Sequence, residues 1–81
     1  MVMMKLSIVS PERELFKGEI KEINLPGTKG KFTILTNHAP LVSSLEKGEV
    51  HYTTIEGIEY SLEIEEGFIE VSNNVVSVCV S

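Results

Sequence analysis

A chain of 81 residues with a formal net charge of −5 is sized for one small domain, 1–81, and has little room for a deep catalytic cleft beside its core. Its twelve acidic side chains are all Glu, set against seven Lys and Arg, so the surface repels phosphate and argues against nucleic acid as a partner. One cysteine, Cys79, excludes an internal disulfide and a Cys-built zinc cage and suits a reducing compartment, and no apolar run approaches the ~20 residues of a membrane span.

The opening Met1–Ser10 is too short and too quickly polar for a signal peptide. From there the pattern is period two. Leu6 and Ile8 alternate with Lys5 and Ser7, and breaks are expected at Pro11 and Gly18. Ile23 and Leu25 alternate with Glu22 and Asn24, up to a break at Pro26-Gly27. After Gly30, Phe32 and Ile34 alternate with Lys31 and Thr33, and the segment Asn37–Pro40 interrupts the pattern. Beyond Gly48, a hairpin with a two-residue loop at Glu56-Gly57 would set Tyr52 against Ser61. A three-residue loop, Ile55-Glu56-Gly57, pairs Thr54 with Ile58, Tyr52 with Tyr60 and Val50 with Leu62, and puts Gly57 at a positive-φ bulge position. Gly67 opens the last hairpin, in which Asn73-Asn74 forms a two-residue loop. Ser72 then faces Val75, Val71 faces Val76, Ile69 faces Val78 and Phe68 faces Cys79, with Val71, Val76, Ile69 and Val78 on one core side. No segment carries a helical stripe. Short β-branched runs with Gly and Pro between them predict an all-β sandwich or barrel.

Residue types that carry covalent chemistry lack the spacing to do it. His38 and His51 form no H-x-x-x-H or H-x-E pattern, and His51 is out of phase with Val50 and Tyr52, so it points to solvent. Cys79 has no neighbouring base and reads as a small packed hydrophobe. Glu65-Glu66 would point to opposite faces of a strand, no Ser lies in a G-x-S-x-G elbow, and "LPGTKGKF" lacks the glycine and lysine spacing of a phosphate cradle. What remains is a stiff β body with two notable loops, Pro26–Lys31 and Thr36–Leu41. Pro40 fixes its own φ and restricts Ala39, so the second loop loses little entropy on docking, which favours recognition over catalysis. On the residues alone, a free-standing β module binding a peptide or metabolite stays open, as does, more remotely, a metal enzyme using His38, His51 and a Glu.

Three stretches in order, "LSIVSPERELFKGEI", "LPGTKGKFTILTNHAPLVSSLEKGEV" and "GFIEVSNNVVSVCV", resemble the N-terminal domain of the ATP synthase epsilon family, called delta in mitochondria. The resemblance spans essentially the whole chain. It implies a flattened ten-stranded β-sandwich with no catalytic residue, cofactor or metal. It implies a rotor subunit that couples the gamma shaft to the c-ring, so that transmembrane ion flow drives ATP synthesis, peripheral on the cytoplasmic face of the bacterial inner membrane. Residue by residue, Gly27, Thr28, Lys29, Gly30 and Lys31 match the turn that meets the c-ring. His38, Ala39 and Pro40 match a neighbouring loop at the rotor contact, and Ser10 a strand end near gamma. Lys31 stands where members often carry an acid, and Thr36 replaces a common Pro. The family's C-terminal two-helix hairpin, which carries ATP binding and self-inhibition in bacterial members, is expected to be absent from these residues.

Overall fold

Period-two hydrophobicity becomes period-two burial: Met4, Leu6 and Ile8 are buried while Lys5, Ser7 and Val9, which alternate with them, are not. The computed structural model describes residues 3–81 and is all β, with eight strands among those residues. They are β1 (Met4–Val9), β2 (Glu14–Gly27), β3 (Gly30–Leu35), β4 (Leu41–Leu45), β5 (Gly48–Thr54), β6 (Glu59–Ile64), β7 (Gly67–Ser72) and β8 (Val75–Val80). Neighbours run β1-β8-β7-β4-β2-β5-β6, with β3 also on β2 and β1 returning to β2. One layer is the first half of β2 with β1, β8, β7 and β4; the other is β3, the second half of β2, β5 and β6. The layers join at a corner where β4 touches β2 through Gly27 and Leu45.

β2 serves both layers as one strand, and the described residues hold eight strands where ten were expected. Gly18, anticipated as a break, lies inside this 14-residue strand, whereas Pro26-Gly27 are its last two residues. In the first half Phe16, Gly18 and Ile20 pair with Ile8, Leu6 and Met4 and face inward; in the second, Ile23 and Leu25 do. The inward set changes parity because the register with β5 shifts between Ile20 and Glu22. One extra residue there re-phases the alternation, so a single strand can present an apolar side to the same core from two sheets. Gly18 is bridged rather than broken: the Phe16 ring lies over it, 3.1 Å from where a Cβ would stand. That ring meets Tyr52 at 4.6 Å between centroids and Tyr60 at 6.1 Å, closing the gap between β2 and the β5–β6 hairpin.

Sixteen apolar side chains from both layers, from Met4 to Val80, form one buried cluster. Each stabilises the fold by roughly 1.5–3 kcal/mol relative to exposure. Both predicted hairpin registers are observed. Val71 pairs Val76, Ile69 pairs Val78 and Phe68 pairs Cys79 across a turn whose Asn73 and Asn74 have φ of 50° and 61°. Tyr52 pairs Tyr60, Val50 pairs Leu62, the Thr54 amide donates to Ile58 O at 2.9 Å, and Gly57 takes φ 92°.

Candidate docking surfaces

The first candidate loop is a tight hairpin tip. Gly27 pairs Gly30, leaving Thr28 and Lys29 as the turn, with Gly30 at φ 126°. A Cβ on Gly27 would stand 2.7 Å from both Gly30 O and a Phe32 ring carbon, so the close approach requires glycine there. The base of the turn is tied to β4: Thr28 N–H donates to Ser44 O at 3.2 Å and Glu46 N–H to Pro26 O at 2.8 Å. Gly27 is buried, while Thr28, Lys29, Gly30 and Lys31 are exposed. The tip is therefore a fixed, exposed, locally basic projection on an acidic molecule.

Ser10 follows β1 and closes a short turn. Its amide and its hydroxyl both donate to Arg13 O, at 2.8 and 3.2 Å, and Arg13 N–H returns a bond to Ser10 Oγ at 3.3 Å. Ser10 and Thr28 line one cleft of about 690 Å³ with Pro11, Leu45, Phe68 and Cys79. Ser10 thus lies at the same end of the sandwich as the Gly27–Lys31 turn.

The second candidate loop, with His38, Ala39 and Pro40, lies at the other end. β3 runs from one loop to the other, and its Gly30–Leu35 span of about 3.3 Å per step separates them by on the order of 17 Å. The expectation that this loop neighbours the first is therefore corrected: consecutive loops on an antiparallel strand sit at opposite ends of it. His38, Ala39 and Pro40 are all exposed. His38 N–H donates to Leu35 O at 3.1 Å, and its Nδ1–H donates to Ala39 O at 2.7 Å. A carbonyl can only accept, so the neutral ring carries its proton on Nδ1 and leaves Nε2 as the acceptor available to a partner.

Between these ends lies the outer face of the first layer. Its rows, read across β4, β7, β8 and β1, are Ser44–Phe68–Cys79–Val9 and Val42–Glu70–Ser77–Ser7, with Ser72–Val75–Lys5 beyond them. Val42 is 71% exposed, Phe68 52% and Val75 47%. The expected Phe68–Cys79 pairing is observed, and Cys79, expected as a small packed hydrophobe, is half-buried on this outer face. Parity places it there, since Ile69 and Val71 pointing inward send Phe68, and its partner Cys79, outward.

The outer face of the second layer is polar. A side-chain chain crosses it from Thr33 Oγ1 to Asn24, then from Asn24 Nδ2 to His51 Nδ1 at 3.5 Å, then from His51 Nε2 to Glu59 Oε1 at 3.1 Å. His51 is held by these neighbours on the solvent side, out of phase with buried Val50 and Tyr52. Among the described residues no group of three or more His, Cys, Asp or Glu is placed to hold a metal ion.

Known proteins share both the sequence and the shape. The family described as ATP synthase, Delta/Epsilon chain, beta-sandwich domain matches residues 3–81. The chain is 43% identical over 75 residues to the ATP synthase epsilon chain of Leptospira borgpetersenii, covering 93% of this chain and 58% of that protein. It is 43% identical over 70 residues to the ATP synthase epsilon chain of Chlorobium limicola, covering 86% of this chain and 80% of that one. A chain of the Euglena gracilis mitochondrial ATP synthase, solved as OSCP/F1/c-ring in rotational state 1, superposes with a TM-score of 0.90 at 19% identity, covering 96% of this chain and 50% of its own length. A chain of the Tetrahymena thermophila mitochondrial ATP synthase central stalk/c-ring does so with a TM-score of 0.78 at 15% identity, covering 95% and 62%. The chain thus spans a little over half the length of the Leptospira relative. Matched from residue 3 to residue 81, it belongs to the ATP synthase delta/epsilon family, as that family's β-sandwich domain.

Proposed function

We propose that the chain works as a non-catalytic rotor element of an ATP synthase, seated between the gamma shaft and the c-ring and passing on the torque that links transmembrane ion flow to ATP synthesis. The observation that carries this reading is the family match over residues 3–81, joined to relatives named ATP synthase epsilon chain. In this reading Gly27, Thr28, Lys29, Gly30 and Lys31 meet the polar loops of the c-ring. Ser10, His38, Ala39 and Pro40 meet gamma, on the cytoplasmic face of a bacterial inner membrane.

The geometry suits that division. Ser10 and His38–Pro40 lie at opposite ends of the first layer, so a shaft touching both would lie along the outer face between them. That face offers Val42, Phe68 and Val75 to it. A stable interface covers ~800 Å² per partner, roughly a sixth of the 5154 Å² of this surface. A close-packed sandwich with strands running from one contact to the other resists shear, because its interior has little room to yield. Reconstitution with gamma and the membrane ring tests the reading. Ion-driven ATP synthesis should require the chain, and His38→Ala should weaken binding to gamma while leaving the melting temperature unchanged. A chain that binds neither gamma nor the c-ring would refute it.

A further inference from the structure

We propose that Asn74 is a positioning residue for the contact made by His38–Pro40, forming with Asn37 an amide clamp that sets the shape of that loop before docking. The inference rests on reading the loop as a contact to gamma. The two residues are 37 apart in sequence and are joined by two bonds: the Asn37 backbone N–H donates to Asn74 Oδ1 at 2.6 Å, and Asn74 Nδ2 donates to Asn37 Oδ1 at 2.9 Å. Both residues sit in the left-handed region, at φ 67° and 61°, which Asn tolerates better than other non-glycine residues.

Asn74 is itself anchored to the sheet. It lies in the β7–β8 turn, and its carbonyl accepts from Lys5 N–H of β1 at 2.9 Å. The loop is thereby referenced to three strands that are distant in sequence. Asn37 starts the chain toward His38, whose own amide and ring are fixed on Leu35 O and Ala39 O, and Pro40 locks the exit. Glycine would satisfy the backbone at either position. The two amide side chains add only the cross-link, which lowers the cost of ordering the loop on binding.

The test is Asn74→Gly in the 81-residue chain, which keeps the turn conformation and removes the clamp. Two quantities are read: amide exchange at Asn37 N–H in the free chain, and affinity for purified gamma subunit. Exchange should accelerate about tenfold and Kd should rise roughly 3- to 10-fold, the scale of one or two net hydrogen bonds. Asn74→Asp, which keeps an acceptor for Asn37 N–H, should restore most of the protection. Unchanged exchange overturns the clamp. Faster exchange with unchanged affinity overturns the positioning role when His38→Ala does weaken binding. When neither variant changes affinity, the docking reading of the loop fails and the positioning role falls with it, although the clamp itself stands. Should Asn74→Gly fail to fold, Asn37→Gly removes only the Nδ2 bond and keeps the amide of position 37 on Asn74 Oδ1, so it is read by affinity for gamma alone: a Kd rise of about 3-fold supports the positioning role, and an unchanged Kd overturns it when His38→Ala does weaken binding.

Discussion

Gly67 sits at the start of β7, paired with Leu45 on one side and Val80 on the other. A Cβ added there would stand 2.3 Å from Cys79 O, 3.3 Å from Val80 Cα and 3.4 Å from Cys79 C, all of them backbone atoms. Real Cβ contacts almost never fall below 3.0 Å, so Gly67→Ala must push β7 and β8 apart by at least 3.0 − 2.3 = 0.7 Å. Just beside it, Glu65 N–H donates to Ser81 O and Ser81 N–H donates to Glu66 O, both at 3.1 Å. Opening the strands by that amount stretches both bonds past hydrogen-bonding range. Two net hydrogen bonds correspond to about 1–3 kcal/mol, and for a domain of this size each kcal/mol lowers Tm by about 4–8 °C. Thermal unfolding followed by circular dichroism should therefore show a loss of roughly 5–20 °C. Gly18→Ala is the control. Its nearest neighbour is the tip of the Phe16 ring at 3.1 Å, which can swing aside, so it should cost less than about 1 kcal/mol. A Gly67→Ala protein melting with its parent would refute the close approach of β7 and β8.

Three further outcomes follow from the same geometry. Val71→Asp places an unpaired charge where the side chain is 1% exposed, and should abolish cooperative folding at neutral pH, read by NMR dispersion. Gly57→Ala meets no atom within 4 Å but must adopt φ 92°, so it should cost about 1 kcal/mol in denaturant melts through backbone strain alone. Burial first, and then the adjacent Tyr60, raise the Tyr52 phenol above its ordinary 10.0. A proton held more tightly in the folded state gives stability that is complete below pH 10.0 and is lost as pH rises through the raised value. Alkaline unfolding should therefore steepen above that pH, and Tyr52→Phe should remove the added slope.

Strand identity and hairpin register are written locally in this chain. In Val50–Ile64 and Phe68–Val80 the alternation has a single register that keeps the apolar residues on one side. The turn residues Gly57 and Asn73-Asn74 take the positive φ those registers need. The two loops carrying Gly27–Lys31 and His38–Pro40 were legible for the same reason, since each interrupts the alternation with residues of fixed or permissive φ. Tertiary structure decided what depends on partners far along the chain. The parallel pairing of β1 with β8 joins strands at the two ends of the sequence, and no local pattern announces it. The re-phasing of β2 at Ile20/Glu22 reflects the two sheets that share that strand, and Gly18, which reads locally as a break, is carried through the strand beneath the Phe16 ring. Ser10 comes to share a cleft with Thr28, and Asn37 meets Asn74, only once the sheets have closed. A side chain's period records which way it points, but which distant strand lies beside it is set by the closure of the whole sandwich.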